Sequence, residues 1–100
     1  MATRPIPTRT QHSAQTLGEH LRTWRKLQSL TIEQLAARAG VNRETIARVE
    51  RGDVSVGMGT FLNIARALGL LENLVASLDP YESDFGRARA DSALPQRVRP

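Results

Sequence analysis

Polar side chains able to make directional hydrogen bonds are concentrated in one short stretch of the chain, residues 42–51. Its two large apolar residues, Ile46 and Val49, lie at helical spacing, which predicts a short helix with one inward face. Arginine can donate two hydrogen bonds to guanine O6 and N7, and glutamate can accept one from the cytosine amino group. The side chains left outside the core therefore suit base edges and phosphate oxygens: Asn42, Arg43, Glu44, Thr45, Arg48 and Arg51.

The charge of the chain points in the same direction. Its 100 residues carry a formal net charge of +4, which is a weak indication of a polyanionic partner. Lys26 is the only lysine, so a preference of the genome for arginine codons explains the total equally well. The distribution is more informative, because basic residues dominate 1–30 and 83–100 whereas acidic ones dominate 53–82. This segregation predicts one face turned towards DNA and one turned away.

Several classes of protein are excluded or disfavoured by composition. There is no cysteine, which excludes disulfides and thiolate metal sites, and His12 and His20 have no ligand set around them. The chain has no apolar run long enough to predict a membrane span, and its N-terminal residues lack the apolar segment of a secretory signal. No nucleophile elbow, phosphate loop or zinc motif is present, so we predict no enzyme, catalytic residue, metal or cofactor. A cytoplasmic protein, associated with the nucleoid when bound to DNA, is expected.

Two helices joined by a tight turn are predicted to position the polar stretch, from Thr31 to Gly52. Thr31 and Gln34 have the spacing of a capping box at the start of the first helix. Gly40 suits a left-handed turn, and Asn42 can cap the second helix. A connection of about four residues sets two helices at a steep angle. The apolar positions of the pair are Ile32, Leu35, Ala36, Ala39, Val41, Ile46 and Val49.

Three further helices are predicted around this pair, each from an apolar stripe at helical spacing. They span residues 14–29, 57–68 and 71–78. Their stripes are, in that order, Leu17, Leu21, Trp24 and Leu27; then Met58, Phe61, Ile64, Ala65 and Leu68; then Leu71, Leu74, Val75 and Leu78. The last stripe is either a dimer surface or a simple cap on the bundle.

The runs LTIEQLA, AGV and TIARVERG resemble the helix-turn-helix of the Cro/cI-type (XRE) DNA-binding family, over residues 17–70. The resemblance implies an all-α fold, a five-helix lambda-repressor-like DNA-binding domain with flexible tails. We expect a flexible N-terminal arm over residues 1–13, the DNA-binding domain over 14–79 and an extended C-terminal tail over 80–100. The implied function is that of a sequence-specific regulator, a repressor that binds double-stranded DNA as a homodimer on a palindromic operator.

The resemblance also implies which side chains contact DNA. Arg43, Glu44, Ala47 and Arg48 occupy the positions that read bases in the family. Ala47 suits a thymine methyl group, and Glu44 either accepts from cytosine or orients Arg48 one helical turn away. Phosphate contacts are expected from the helix starts and the following loop: Thr31, Gln34, Asn42, Thr45 and Ser55.

Two further implications concern structure and partners. In the family, a basic residue at the position of Arg25 pairs with an acidic one at Glu50; the alternative is two unrelated surface charges. The tail runs DFGRARAD and LPQRVR resemble those of HipB-like antitoxins, which accompany HipA-like kinase toxins. The resulting alternative function is an antitoxin that binds such a toxin and represses its own operon. A disordered basic tail that adds non-specific DNA affinity is the other interpretation.

Overall fold

A computed structural model describes residues 4–94, which form helices and no strand. The all-α prediction is therefore confirmed. The helices are α1 (Thr8–Leu27), α2 (Ile32–Ala39), α3 (Arg43–Glu50), α4 (Met58–Ala67), α5 (Leu71–Ser77) and α6 (Asp84–Ala93), with a 3₁₀ turn at Pro80–Glu82. The chain divides into two compact units, the first ending at Leu70 and the second beginning at Leu71.

The core of the first unit is aliphatic and lies among α1 to α4. Its three fully buried large side chains are Leu35, Ile46 and Ile64, one from each of α2, α3 and α4. Burial of such a side chain stabilises a fold by roughly 1.5–3 kcal/mol. The remaining buried members of the cluster are Leu21, Leu30, Ala36, Ala39, Val49 and Leu68. The outer surfaces of α2 and α3 are thus held on a packed scaffold.

Helix α1 begins earlier than predicted. It starts at Thr8, directly after Pro7, whose carbonyl accepts the first helical bond from Gln11 N at 3.0 Å. Residues 8–13 of the expected flexible arm are therefore helical. The prediction was wrong because these polar residues offer no apolar stripe, although nothing in them opposes a helix once a proline precedes it. Residues 1–3 lie outside the described part of the chain.

The buried face of α1 also differs from the predicted stripe. Leu21 is buried, but Leu17, Trp24 and Leu27 are 47, 44 and 69% exposed. The face that packs inward carries Gly18 and Arg25 together with Leu21. A hydrophobic pattern does not include a glycine or an arginine. The predicted stripe therefore lies on a neighbouring face of this helix and shares only Leu21 with the buried face.

The second unit contains α5, close to the bounds predicted for the fifth helix, followed by the 3₁₀ turn and α6, where an extended tail was expected from residue 80. Asp79 caps the turn by accepting from Tyr81 N at 2.9 Å, and Ser83 caps α6 by accepting from Gly86 N at 3.0 Å. Helix α6 carries only one buried residue, Ala90. The extended-tail prediction was therefore wrong for the residues up to position 94. Most of the LPQRVR run lies outside the described residues.

Candidate nucleic-acid interface

Capping hydrogen bonds define where α2 and α3 begin. Thr31 Oγ1 accepts from Gln34 N at 3.0 Å while Thr31 N donates to Gln34 Oε1 at 2.9 Å. This reciprocal pair is the capping box that the spacing predicts. Asn42 Oδ1 accepts from Thr45 N at 2.8 Å and from the Thr45 hydroxyl at 2.9 Å. Both helix starts are therefore fixed by side chains that were assigned to phosphate contacts.

The turn between the two helices is equally well defined. Gly40 adopts a left-handed φ of +71°, and Val41 N donates to Ala36 O at 3.0 Å. Together these features end α2 and reverse the chain within two residues before the Asn42 cap. The turn therefore fixes the direction in which α3 leaves α2.

Helix α3 presents a mixed outer face. Ile46 and Val49 are buried, as their spacing predicts. Arg43 and Glu44 are exposed, whereas Thr45, Ala47 and Arg48 are half-buried. The side chains predicted to read bases therefore remain accessible to a ligand to different degrees, greatest at the start of the helix.

Three arginines on or next to α3 are each paired with a carboxylate. Arg43 Nε lies 3.2 Å from Glu33 Oε2 on α2, and Arg51 lies 3.1 Å from Glu44 Oε1. Arg48 Nε lies 2.8 Å from Asp53 Oδ2 in the loop that follows α3. Glu44 was considered a possible partner of Arg48, but the structure pairs it with Arg51 instead.

Arg48 belongs to a compact network with the loop. Its guanidinium also donates to Ser55 Oγ at 2.8 Å, and both the amide and the hydroxyl of Ser55 donate to Asp53 Oδ1. Asp53 N donates back to Arg48 O at 3.0 Å. The hydrogen bonds from Ser55 and Arg48 hold the pKa of the Asp53 carboxyl well below its ordinary value. The sequence does not predict this role of Asp53, because its partners are brought together by the path of the loop after α3, which no periodicity reveals.

Arg25 and Glu50 lie against each other between α1 and α3. Arg25 Nε donates to Glu50 Oε2 at 2.7 Å, and a second guanidinium nitrogen donates to Oε1 at 3.1 Å. The two side chains are only 9% and 8% exposed, and Arg25 also donates to Leu30 O at 2.9 Å. The hydrogen bond that Arg25 donates to Glu50 raises the pKa of Arg25 against the opposing effect of burial.

Two glycines bring α1 into direct contact with the end of α3. A Cβ atom at Gly18 would lie 2.7 Å from Glu50 O and closer still to Val49 O. A Cβ at Gly52, where φ is +83°, would lie 2.6 Å from Gln15 Cα. Neither contact was predicted. The available signal for Gly18 was a glycine inside an otherwise helical segment, which often marks a close approach of two backbones.

The arrangement suits recognition of a polyanion better than bond-making chemistry. Hydrogen-bond donors and the amide end of a helix face outward at the start of α3. Within residues 4–94, no group of three or more His, Cys, Asp or Glu side chains is placed to hold a metal ion. None of the helices described combines the length and apolar character needed to cross a membrane.

Comparison with known proteins finds a helix-turn-helix family and two regulatory proteins. The Helix-turn-helix domain family matches residues 16–78. An uncharacterised HTH-type transcriptional regulator, y4dL, of Sinorhizobium fredii is 36% identical over 62 residues, which are 62% of this chain and 30% of that protein. The control protein C.SmaI of Serratia marcescens is 38% identical over 52 residues, which are 52% of this chain and 62% of that protein. No solved structure matches significantly. The similarity thus covers less than two thirds of either relative.

Proposed function

We propose that this chain, which belongs to the helix-turn-helix domain family of the XRE type, is a DNA-binding transcriptional regulator, a repressor that binds a palindromic operator as a homodimer. The observation that carries this proposal is the accessible start of α3, capped by Asn42 and bearing Arg43 and Glu44. A helix fixed in this way can enter the major groove with its first residues against base edges.

The side chains divide between base edges and phosphates. Arg43 is placed to bind guanine with two hydrogen bonds, Glu44 to accept from cytosine and Ala47 to touch a thymine methyl. Phosphate contacts are assigned to Thr31, Gln34, Asn42 and Thr45 at the two helix starts. Phosphate oxygens accept hydrogen bonds, so Asn42 can contact them through its side-chain NH2 group while Oδ1 stays in the cap. The amide and the hydroxyl of Thr45 both donate to that cap, so Thr45 contacts a phosphate only when its hydroxyl turns away from Asn42.

Arg48 is more restricted in orientation than an arginine without partners would be. Its Nε and one terminal nitrogen are held by Asp53 and Ser55. The network does not use the outer N–H groups of the two terminal nitrogens, so the end of the Arg48 side chain can still make a two-bond contact with a base or a phosphate. The hydrogen bonds to Asp53 and Ser55 set the direction in which that contact is made.

A dimer accounts for specificity that one small domain cannot supply. Two copies on a two-fold axis would place their α3 helices in half-sites roughly 34 Å apart. We assign the contact to the apolar residues of α5 and of the position that follows it: Leu71, Leu74, Val75 and Leu78. Val75 and Leu78 are 63 and 82% exposed in the single chain, which leaves apolar area for a partner copy to cover.

Selection of binding sites from a pool of random duplexes tests the proposal. The expected result is a two-fold symmetric site whose half-sites contain G·C pairs. Arg43→Ala should weaken binding to the selected duplex by about 1–3 kcal/mol, measured by fluorescence anisotropy. Arg22→Ala, which removes an exposed arginine of α1, is the matched control and should change little. Unchanged affinity of Arg43→Ala, or half-sites of A·T pairs alone, would contradict the assignment.

A second candidate is an antitoxin that also binds a HipA-like kinase toxin. It is favoured by one observation: α6 is an ordered helix that carries Phe85 with 77% of its surface exposed. An exposed aromatic on a capped helix is a suitable anchor for a partner groove. Expression together with the neighbouring genes should then yield a stoichiometric complex that Phe85→Ala disrupts. Isolation of a lone homodimer would count against this candidate.

A further inference from the structure

The three arginines on or next to α3, in the region assigned to DNA recognition, are balanced by three carboxylates. Arg43, Arg48 and Arg51 carry the positive charge, and Glu33, Glu44 and Asp53 neutralise it one for one. The net charge of the chain is +4, so its basic excess resides elsewhere. The surface assigned to base reading is therefore locally neutral, although it is rich in arginine.

The three pairs differ in how firmly they are held. In the pairs Arg43–Glu33 and Arg51–Glu44, every side chain is more than 60% exposed. Such pairs shift an equilibrium by at most about fivefold, so a ligand can exchange them. The Arg48–Asp53 pair is 38% and 33% exposed and is reinforced by Ser55. Two arginines are thus exchangeable and one is retained.

We propose that Glu33 and Glu44 are specificity-determining residues that shield Arg43 and Arg51 from the phosphates of unrelated DNA. This inference rests on the proposed function, because it concerns the same surface of α3. Non-specific binding arises almost entirely from contacts between cations and phosphates. A carboxylate beside each exchangeable arginine competes with phosphate for it and repels the phosphate as well.

A matching operator avoids most of this penalty. Guanine presents uncharged acceptors that a neighbouring carboxylate repels less than it repels a charged phosphate, and cytosine presents an amino donor to which Glu44 itself can bind. Glu44 therefore opposes a misplaced phosphate backbone and favours a correctly placed base pair. Arg43 leaves Glu33, on α2, only where another hydrogen-bond acceptor takes the place of that carboxylate. The effect is greater discrimination at the expense of total affinity.

The test uses the full chain with Glu33→Gln and Glu44→Gln, on a random-sequence duplex and on the best duplex from the selection experiment. Each variant should bind the random duplex about two- to fivefold more tightly than the unmodified chain. The logarithmic salt dependence should steepen by up to about 0.9 for each arginine that gains a phosphate. The ratio of affinities for the selected and random duplexes should fall.

Glu19→Gln is the matched control, since it removes the same charge from an exposed position of α1 that takes part in none of the three pairs. If Glu33→Gln and Glu44→Gln behave like this control on both duplexes, the inference is wrong. The proposed function would still stand if the unmodified chain prefers the selected duplex. If that preference is absent, the proposed function is wrong. The affinities of the variants for the random duplex then test by themselves whether the two carboxylates shield the arginines. Thermal transitions of all variants verify folding.

Discussion

The two compact units of this chain bury their apolar residues to very different extents. In the unit that ends at Leu70, aliphatic side chains from four helices share one core. In the described residues from 71 to 94, Ala90 alone is buried, while Val75, Leu78, Phe85 and Leu94 are more than half exposed. Basic residues outnumber acidic ones in residues 4–70, and the reverse holds in 71–94. The first unit therefore has a core of its own and a basic excess, whereas the second leaves most of its large apolar side chains exposed, which is the area that the proposed dimer contact would use.

Removing one partner of the buried ion pair tests the stability of the first unit most severely. Glu50→Ala leaves Arg25 charged and buried, so the free energy of unfolding should fall by about 3–5 kcal/mol. Denaturant titration followed by circular dichroism measures the change. Glu82→Ala, a carboxylate of the second unit in an exposed position, should change unfolding by less than about 0.5 kcal/mol. Equal effects at the two positions would remove the distinction between the units.

Leucine truncation probes the same contrast through packing. Leu35 is completely buried, so Leu35→Ala should lower the free energy of unfolding by about 2–5 kcal/mol. Leu78 is 82% exposed, so Leu78→Ala should leave unfolding nearly unchanged but weaken self-association, as measured by sedimentation. Undiminished stability of Leu35→Ala would contradict the first expectation. Undiminished dimerisation of Leu78→Ala would contradict the second.

A glycine-to-alanine pair locates the tightest contact of the first unit. Gly18→Ala forces a methyl group against the main chain of Val49 and Glu50, and should cost about 1–3 kcal/mol of stability. Gly59→Ala in α4 meets no atom within 4 Å, so it should stabilise the chain by up to about 1 kcal/mol. Thermal unfolding of both variants gives opposite shifts in Tm. Shifts of the same sign would show that α1 does not approach α3 as closely as described.

The smallest expected effect is a pH dependence at the end of α3. Because the folded pKa of Asp53 lies below its unfolded value, this carboxylate contributes stability above the ordinary aspartate pKa of about 3.9 and loses it as the pH falls below that value. NMR titration of the Asp53 carboxyl carbon should show little protonation where ordinary aspartates titrate. In Ser55→Ala, which removes the hydrogen bond from its hydroxyl, the pKa should move back towards the ordinary value. An ordinary midpoint in the unmodified chain would disprove the network.

Sequence reasoning succeeded where the signals were local. The capping box of Thr31 and Gln34 and the Asn42 cap depend on residues three apart, so composition and spacing reveal them directly. The burial of Ile46 and Val49 follows from the same short-range periodicity. The pairing of Arg25 with Glu50 required a family resemblance, because no local pattern joins residues on different helices.

The errors have physical causes in particular residues. Helix α6 is not predicted because it has no apolar stripe; Ser83 caps its start, and Ala90 is its one buried residue. The inward face of α1 was misplaced because Gly18 and Arg25 do not look like core residues. The partner of Arg48 depends on the path of the loop after α3, which spacing alone does not specify.

The contact at Gly18 fixes the position of α3 without depending on the side chains that this helix carries. The atoms that α1 meets are the main-chain oxygens of Val49 and Glu50, which any amino acid would supply. Side chains on the outer face of α3 can therefore be exchanged without altering the seat on which the helix rests. If Arg43, Glu44 and Ala47 read bases as proposed, substitutions at these three positions could change the preferred DNA sequence while Gly18 keeps the position of α3 constant.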